Sequence, residues 1–192
     1  MIDKSTVSIL PLSSVSVNSA PLGLLGLGLS ALLFGLHLTG LFVINSHILA
    51  ACMFYGGVGQ ILVGIMEWRR QHTFCAVTCT AFGLFWISLI ALIILPEGHS
   101  GAAPQTAELV SYLAMWGIFS VIFLINAQVP APLKLVFAGM SGMILTLAVA
   151  ISLPSPTLRI LAGAFGLLAG SMALYAAMTP ALRQFFASTS KR

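Results

Sequence analysis

The sequence predicts an all-α integral membrane protein with six transmembrane helices. Hydrophobic residues make up 59% of the chain and charged residues only 6%, whereas a soluble domain carries about 25% charged residues. The mean hydropathy is +1.07. Six nearly uncharged apolar stretches have the length at which a helix crosses a hydrocarbon core, about 20 residues. These predicted spans are residues 22–44, 48–66, 74–95, 109–126, 135–153 and 160–179.

Polar or proline-containing connections separate the spans in order. The short turn 45–47 joins the first two spans, and the charged segment 67–72 joins the second to the third. Prolines mark the next three connections, at 96–107, 129–132 and 154–156, which keeps their missing N–H groups out of helix interiors. Because these connections are short, nearly all residues belong to the membrane-spanning helices. Too few residues remain to form a soluble catalytic domain.

The positive charges lie mostly on one side of the predicted membrane. The net charge is +4, and Arg159 is the one cationic residue in a connection on the other side. The remaining seven are Lys4, Arg69, Arg70, Lys134, Arg183, Lys191 and Arg192. By the positive-inside rule both termini are expected to be cytoplasmic, in a multi-pass protein of the cell membrane. The basic charge is therefore a topology signal, and no nucleic-acid partner is predicted.

Both ends of the chain are predicted to be tails. Residues 1–17 are rich in Ser, Thr and Val and contain no apolar core of a signal peptide, so a disordered cytoplasmic tail is expected there. Residues 18–182 form the predicted transmembrane domain, and 183–192 a second cytoplasmic tail.

The three cysteines give no sign of a metal or cofactor site. Cys52, Cys75 and Cys79 all lie within predicted spans, and the last two are one helical turn apart. A metal site would need further His or Cys ligands at suitable spacing, and the sequence places none beside them. They are interpreted as small packing residues, and no metal, cofactor or disulfide is predicted.

Glycines are concentrated in three spans. In lipid, helices associate through close backbone approach at small residues, so these positions are interpreted mainly as packing sites. Some are expected instead to keep a pathway open. The glycines are Gly23, Gly26, Gly28, Gly35, Gly40, Gly56, Gly57, Gly59, Gly64, Gly163, Gly166 and Gly170.

A few polar residues lie inside the spans without any Lys or Arg in mid-membrane. They include His37, Tyr55 and Gln60, with Glu67 and Asn126 at span ends. A buried amide or hydroxyl without a partner costs a few kcal/mol, so these groups must pair or face water. A pathway lined by a few uncharged donors suits a small weak acid or a neutral solute.

The start of the first span has the features of an anion-binding helix end. Asn18 is a predicted N-cap, and Pro21 and Leu22 follow in the first turn. Backbone N–H groups at such an end can hold a carboxylate without a cationic side chain. A plain helix start at the interface is the alternative interpretation of these residues.

Three ordered motifs resemble a known family. Residues 18–24, Asn-Ser-Ala-Pro-Leu-Gly-Leu, resemble the N-P-A-P-L-G-L signature of the acetate uptake transporter (GPR1/FUN34/YaaH) family. Phe-Tyr-Gly-Gly at 54–57, with Gln60, Gly64 and Glu67, resembles its F-Y-G-G-x-x-Q-x-x-x-G-x-x-E run. A third match lies within 73–86, and a weaker one within 112–117.

The resemblance implies six helices per protomer around a narrow pathway, and a hexamer. It implies permeation of small carboxylates, acetate most often and succinate as well, past an apolar constriction. Carried onto this chain, the constriction falls at Leu27, Phe82 and a position near Met140. Two departures concern substrate preference: Ser19 replaces the first proline of the signature, which is expected to loosen the chain, and Phe82 replaces a frequent Tyr.

The resulting hypothesis places the carboxylate first among Asn18, Pro21, Leu22, Tyr55 and Gln60. The carboxylate then loses its hydration water at the constriction, where passage of a bare anion costs free energy.

Acetic acid has a pKa near that of a Glu side chain, so a proton could accompany it. Glu67 is the one acid on this path; a surface ion pair with Arg69 and Arg70 is its first predicted role and a proton relay its second. His37 is a packing histidine or a relay. A channel and a proton-coupled carrier both fit these residues.

Other classes of protein fit the sequence less well. A channel for a small neutral solute such as urea or ammonium would use a similar six-helix pore. A membrane enzyme is disfavoured, because the chain has no H-E-x-x-H, no G-x-S-x-G and no phosphate-binding glycine loop with Lys. A structural or receptor-like protein would need longer loops for its partners.

Overall fold

The computed structural model describes residues 19–97, 105–126 and 129–189, and in them it contains six long helices and no strand. All six are long and apolar enough to cross a membrane, which confirms the predicted fold class. They are α1 (Ala20–Leu38), α2 (Ser46–Arg69), α3 (Thr73–Glu97), α4 (Thr106–Ile125), α5 (Ala131–Ser152) and α6 (Pro156–Thr189).

The first and last helices differ most from their predicted spans. α1 ends at Leu38 rather than at residue 44, because the chain turns at Gly40, which has a φ of +84°. α6 continues to Thr189, so the predicted boundary at residue 182 falls inside a helix. The predicted tail 1–17 lies outside the described residues.

Local signals explain where several helices begin. The side chain of Asn45 accepts a hydrogen bond from the Ile48 N–H at 3.0 Å, so Asn45 caps α2. α4 begins with a capping box in which Gln105 and Glu108 bond each other's backbone. Prolines occupy the first turns of α1 and α5, where no N–H partner is required.

The middle of α2 departs from regular α-helix. Cys52–Gly59 is π-helical, between the α-helical segments Ser46–Ala51 and Gln60–Arg69. Such segments are rare and occur often at functional sites. Three of the eight residues are glycines, and a Cβ added at Gly57 would lie 2.6 Å from the Ile87 side chain. The tight packing of α3 against this segment explains why small residues are required there.

The helices form a closed ring in chain order. Consecutive helices pack closely from α1 to α3 and from α4 to α6, and α6 closes the ring against α1, while α3 and α4 meet through large aromatic side chains. Gly28 and Gly35 of α1 face Gly170 and Gly163 of α6, and a Cβ at Gly163 would lie 2.7 Å from the Gly35 carbonyl oxygen. The predicted role of these glycines in helix packing is therefore confirmed.

Aromatic side chains join α3 to α4. The ring of Phe85 lies 5.5 Å from Trp116 and stacks on Tyr112 at 6.4 Å, measured between centroids. The Tyr112 hydroxyl also bonds Ser88 at 2.7 Å. We call the end of the bundle that carries Ser19, Arg70 and Lys134 the basic end, and the end that carries Arg159 the opposite end.

Candidate functional site

A cavity of about 100 Å³ lies inside the ring toward the basic end. We call it the proximal cavity. It is large enough for a few waters or one small solute. Its lining residues come from α1, α2, α3 and α5, and they are Ala20, Gly23, Leu24, Leu27, Gln60, Phe74, Cys75, Thr78, Cys79, Leu133, Val136 and Phe137.

A second cavity, of about 170 Å³, lies toward the opposite end. We call it the distal cavity. Three of its four helices, α1, α3 and α5, also line the proximal cavity, and α4 is the fourth. Its lining residues are Phe34, Leu38, Leu89, Leu92, Ile93, Leu109, Leu113, Leu147 and Ile151.

The two cavities lie on the same helix faces. On α1 the lining passes from Leu27 to Phe34, a step of seven residues or two turns. On α3 it passes from Cys79 to Leu89. At a rise of about 1.5 Å per residue, these steps correspond to a distance of about 10 to 15 Å between the two cavities along the helix axes. They are therefore two sections along one line through the protomer.

An apolar layer fills the space between the cavities, and it contains the three predicted constriction residues. Leu27 is 3% exposed, and Phe82 and Met140 are fully buried in the same hydrophobic cluster. Phe82 stacks on Phe137 of the proximal cavity, with ring centroids 6.0 Å apart. A charged solute could not cross this layer without losing its hydration, which is costly in an apolar medium.

Near the distal cavity, a surface depression of about 350 Å³ lies at the opposite end, between the end of α5 and the start of α6, and we call it the vestibule. Leu147 and Ile151 line both spaces. The vestibule also contains Ser155 and Arg159. A cation in this depression attracts anions, whereas in the sequence Arg159 served only as a topology signal.

Gln60 is the polar residue of the proximal cavity that most clearly points to a ligand. Gln60 is 2% exposed, and within the described part of the chain its Oε1 has no hydrogen-bond partner. Oε1 and Nε2 can exchange places by a flip of the amide, so the group can offer either an acceptor or a donor. An unsatisfied buried amide costs a few kcal/mol, which a bound polar solute would recover.

Trp86 provides an unsatisfied donor within the apolar layer. It is fully buried, and its indole N–H has no partner. Its ring packs edge-on against Phe34 of the distal cavity, with centroids 5.8 Å apart. In the sequence Trp86 appears only as the last residue of the third motif, and Trp residues in membrane proteins are commonly interfacial.

Glu67 is buried at the basic end, contrary to its predicted surface position. It is 1% exposed and accepts a hydrogen bond from the Ser19 hydroxyl. Its other partners are Arg70, at 3.4 Å from Oε1, and His72, whose Nδ1 lies 2.6 Å from Oε2. The predicted surface position of this ion pair is therefore wrong, because Glu67 is buried. Glu67 joins the start of α1 to the connection between α2 and α3.

The same contacts form a chain from solvent to the proximal cavity. The His72 side chain is 58% exposed, Glu67 follows, and Ser19 follows Glu67. Ser19 immediately precedes Ala20, which lines the cavity. Ser19 is itself 5% exposed and anchored, so the expectation that it loosens the chain is wrong.

The other residues predicted from sequence lie apart from the cavities. Leu22 and Tyr55 are 57% and 54% exposed on the outer surface of the protomer. Pro21 is half-buried in the first turn of α1, where the N–H of Leu22 bonds the Ser19 carbonyl at 3.0 Å. Asn18 lies outside the described residues.

His37 lies near the opposite end rather than deep in the membrane. It belongs to the last turn of α1, because that helix ends at Leu38. Its Nδ1 lies 3.2 Å from the Phe42 carbonyl oxygen, and its ring packs near Phe34 at 6.1 Å. These contacts hold the turn after α1.

Comparison with known proteins places this arrangement among transporters. The chain matches the GPR1/FUN34/yaaH family over residues 5–188. It is 34% identical over 173 residues to the succinate-acetate/proton symporter SatP of Escherichia coli (strain K12), covering 90% of this chain and 92% of the relative. It is 28% identical over 180 residues to acetate permease A of Emericella nidulans, covering 84% and 60%.

A solved structure has the same fold. The structure of the bacterial acetate channel SatP superposes with a TM-score of 0.84 at 33% sequence identity, over 88% of this chain and 94% of that one.

Proposed function

Because this chain belongs to the GPR1/FUN34/yaaH family, we propose that it carries acetate and succinate across a membrane. The route runs through the protomer itself, from the proximal cavity to the distal cavity. The alignment of these two cavities on the same faces of α1, α3 and α5 is the observation that carries this proposal. The relatives' names as symporter, permease and channel agree with transport rather than with an enzyme.

Gln60 and Trp86 are the groups that meet the carboxylate. The indole N–H of Trp86, in the apolar layer, can donate to the carboxylate directly, whereas Gln60, in the proximal cavity, must turn its amide NH₂ toward the anion because its unpartnered Oε1 can only accept. A hydrogen bond to a charged group contributes about 1.5–3 kcal/mol, which offsets part of the hydration that the anion loses. The vestibule with Arg159 concentrates anions at the opposite end.

A proton lowers the cost of crossing the apolar layer. Neutral acetic acid avoids the desolvation of a bare charge, and the layer at Leu27, Phe82 and Met140 offers that charge no counterion. We place the proton path on His72, Glu67 and Ser19, because these residues connect solvent to the cavity mouth. His37 is the alternative relay, on the opposite side of the layer.

The proposed setting is the cell membrane, with the basic end in the cytoplasm. The cationic residues Arg69, Arg70 and Lys134 lie in connections at that end, which the positive-inside rule assigns to the cytoplasm. Both tails, 1–17 and 183–192, then belong to the cytoplasmic side, and residues 18–182 to the transport domain.

The proposed assembly is a homo-hexamer. The protomer presents large apolar side chains on its outer surface, including Phe54, Tyr55 and Leu62 on α2, and these can contact lipid or another copy. Native mass spectrometry in detergent would give a mass six times that of the 20.2 kDa chain. A monomeric mass under conditions that retain transport would contradict the hexamer.

Uptake of radiolabelled acetate into proteoliposomes tests the function. Saturable uptake is expected above that of protein-free liposomes, and it should be lost in Gln60→Ala. An inward proton gradient should stimulate it if a proton accompanies acetate. Labelled urea in the same vesicles is the control for a neutral-solute channel: uptake of urea without acetate would overturn the proposal.

A further inference from the structure

Two thiols stand side by side on the wall of the proximal cavity. Cys75 and Cys79 are one turn apart on α3, and their sulfur atoms are 4.0 Å apart. Both line the cavity, Cys79 buried and Cys75 half-buried. Cys79 packs against α1 at Gly23, where an added Cβ would lie 2.7 Å from its sulfur. The position of Cys79 Sγ is therefore fixed by the helix packing.

The spacing suits a cation that is held by two sulfurs. Metal–thiolate bonds are about 2.3 Å long for zinc, so two bonds of this length span at most about 4.6 Å. A separation of 4.0 Å lies within this span, and rotation of the half-buried Cys75 side chain can widen it toward the nearly linear arrangement that two-coordinate cations prefer, without movement of the backbone. Thiolates are soft ligands and select soft cations such as Cu(I).

The surroundings favour a two-coordinate cation over zinc. Structural zinc sites have four ligands, and within the described part of the chain no three His, Cys, Asp or Glu residues cluster around one point. The unpartnered Oε1 of Gln60 belongs to the same cavity. It is a buried polar atom that is left for a bound ligand to satisfy.

We propose that Cys75 and Cys79 bind one soft monovalent cation of the Cu(I) or Ag(I) class, and that the bound cation closes the proximal cavity to carboxylates. Each thiol loses its proton on binding. Two thiols and one monovalent cation thus give a bis-thiolate complex of charge −1 and two released protons. This complex occupies the cavity and repels an anion. The blocking effect rests on the proposed transport function, whereas the binding does not.

The binding test titrates the purified full-length protein with silver nitrate in chloride-free buffer, with excess glutathione as a monothiol competitor. Two thiols on one helix act at a high effective concentration, so one silver per chain should survive desalting against glutathione. In a parallel titration without glutathione, each bound silver should release two protons. Cys75→Ser and Cys79→Ser should each lose at least tenfold in affinity, and the double variant all retention. Cys52→Ser, which changes the third, distant thiol, is the matched control and should bind as the wild type does.

Protection of the thiols gives a readout in the unmodified chain. Silver should prevent labelling of Cys75 by a small maleimide, and a dithiol chelator should restore it. Retention of silver by the double variant, or no retention by the wild type against glutathione, would overturn the site.

The flux test compares acetate uptake with and without silver, each variant relative to its own silver-free value. Silver should abolish uptake by the wild type and Cys52→Ser and leave the double variant unaffected. Silver bound one to one with uptake unchanged would overturn the block. Absence of acetate uptake without silver would instead contradict the proposed function and leave the binding site standing.

Discussion

The hydroxyl of Ser19 donates a hydrogen bond to the buried carboxylate of Glu67, 48 residues further along the chain. This contact joins the start of α1 to the end of α2 at the basic end of the bundle. Ser19 occupies the position at which the family signature has proline. The substitution thus supplies a hydroxyl to a carboxylate that would otherwise keep only Arg70 and His72 as side-chain partners.

Ser19→Ala should destabilise the protein by about 1–3 kcal/mol, because Glu67 loses a partner while it stays buried. Thermal unfolding in detergent measures the loss. Ser111→Ala removes an exposed hydroxyl that bonds only the Ala107 carbonyl of its own helix, and as a matched control it should change stability by about 0.5 kcal/mol or less. Equal stability of Ser19→Ala and the wild type would show that the contact contributes nothing.

Glu67→Gln and His72→Gln should uncouple transport from the proton gradient. Neither glutamine can pass a proton along the chain from His72 to Ser19, whereas the cavities are unchanged. Stimulation of acetate uptake by an inward proton gradient should disappear, while exchange of labelled for unlabelled acetate persists. His47→Gln, an exposed histidine at the opposite end, is the control. If the proton gradient still stimulated acetate uptake fully in Glu67→Gln, the proton path would not run through Glu67, and His37 would be the next candidate.

Gln60→Leu should weaken acetate binding, because leucine cannot hydrogen-bond a carboxylate. A lost bond of about 1.5–3 kcal/mol to a charged group corresponds to about one to two orders of magnitude in affinity, measured as the half-saturating acetate concentration. Tyr55→Phe provides the contrast: its hydroxyl lies on the outer surface, so the same measurement should not change. A strong effect of Tyr55→Phe with none of Gln60→Leu would reverse this assignment.

Leu27→Ala and Met140→Ala should widen the apolar layer and raise the succinate-to-acetate flux ratio. Each also removes a buried side chain, which costs about 2–5 kcal/mol of stability, so uptake is normalised to folded protein. Leu22→Ala on the outer face of α1 is the matched control. An unchanged ratio in both variants would mean that these residues do not set the limiting width.

The sequence predicted the fold closely because its main signals are local. Apolar length gives the spans, and the predicted connections at 45–47 and 154–156 lie where the chain turns, although the helices begin earlier than predicted, at Ser46 and Pro156. The end of α1 was misplaced because residues 41–44 are apolar although the chain has already turned at Gly40. The π-helical segment Cys52–Gly59 was also missed, since it depends on packing against α3.

The candidate site was predicted only in part, because the spacing of residues along the sequence does not by itself determine which way each side chain points. Gln60 and Leu27 were identified and do line the proximal cavity. Tyr55 belongs to the same motif as Gln60, yet Tyr55 lies on the outer surface and Gln60 is buried. The burial of Glu67 depends on Ser19 and His72, whose approach requires the folded bundle.

Acetate uptake by a variant with a filled proximal cavity tests the central claim most directly. Thr78 lines this cavity on α3, and Val77 beside it faces outward. Uptake into proteoliposomes, corrected for protein-free liposomes, is measured for the wild type, Thr78→Trp and Val77→Trp, each shown to be folded by its melting temperature. A route through the protomer predicts that Thr78→Trp abolishes uptake and Val77→Trp retains it. Wild-type uptake in Thr78→Trp would contradict a route through this cavity.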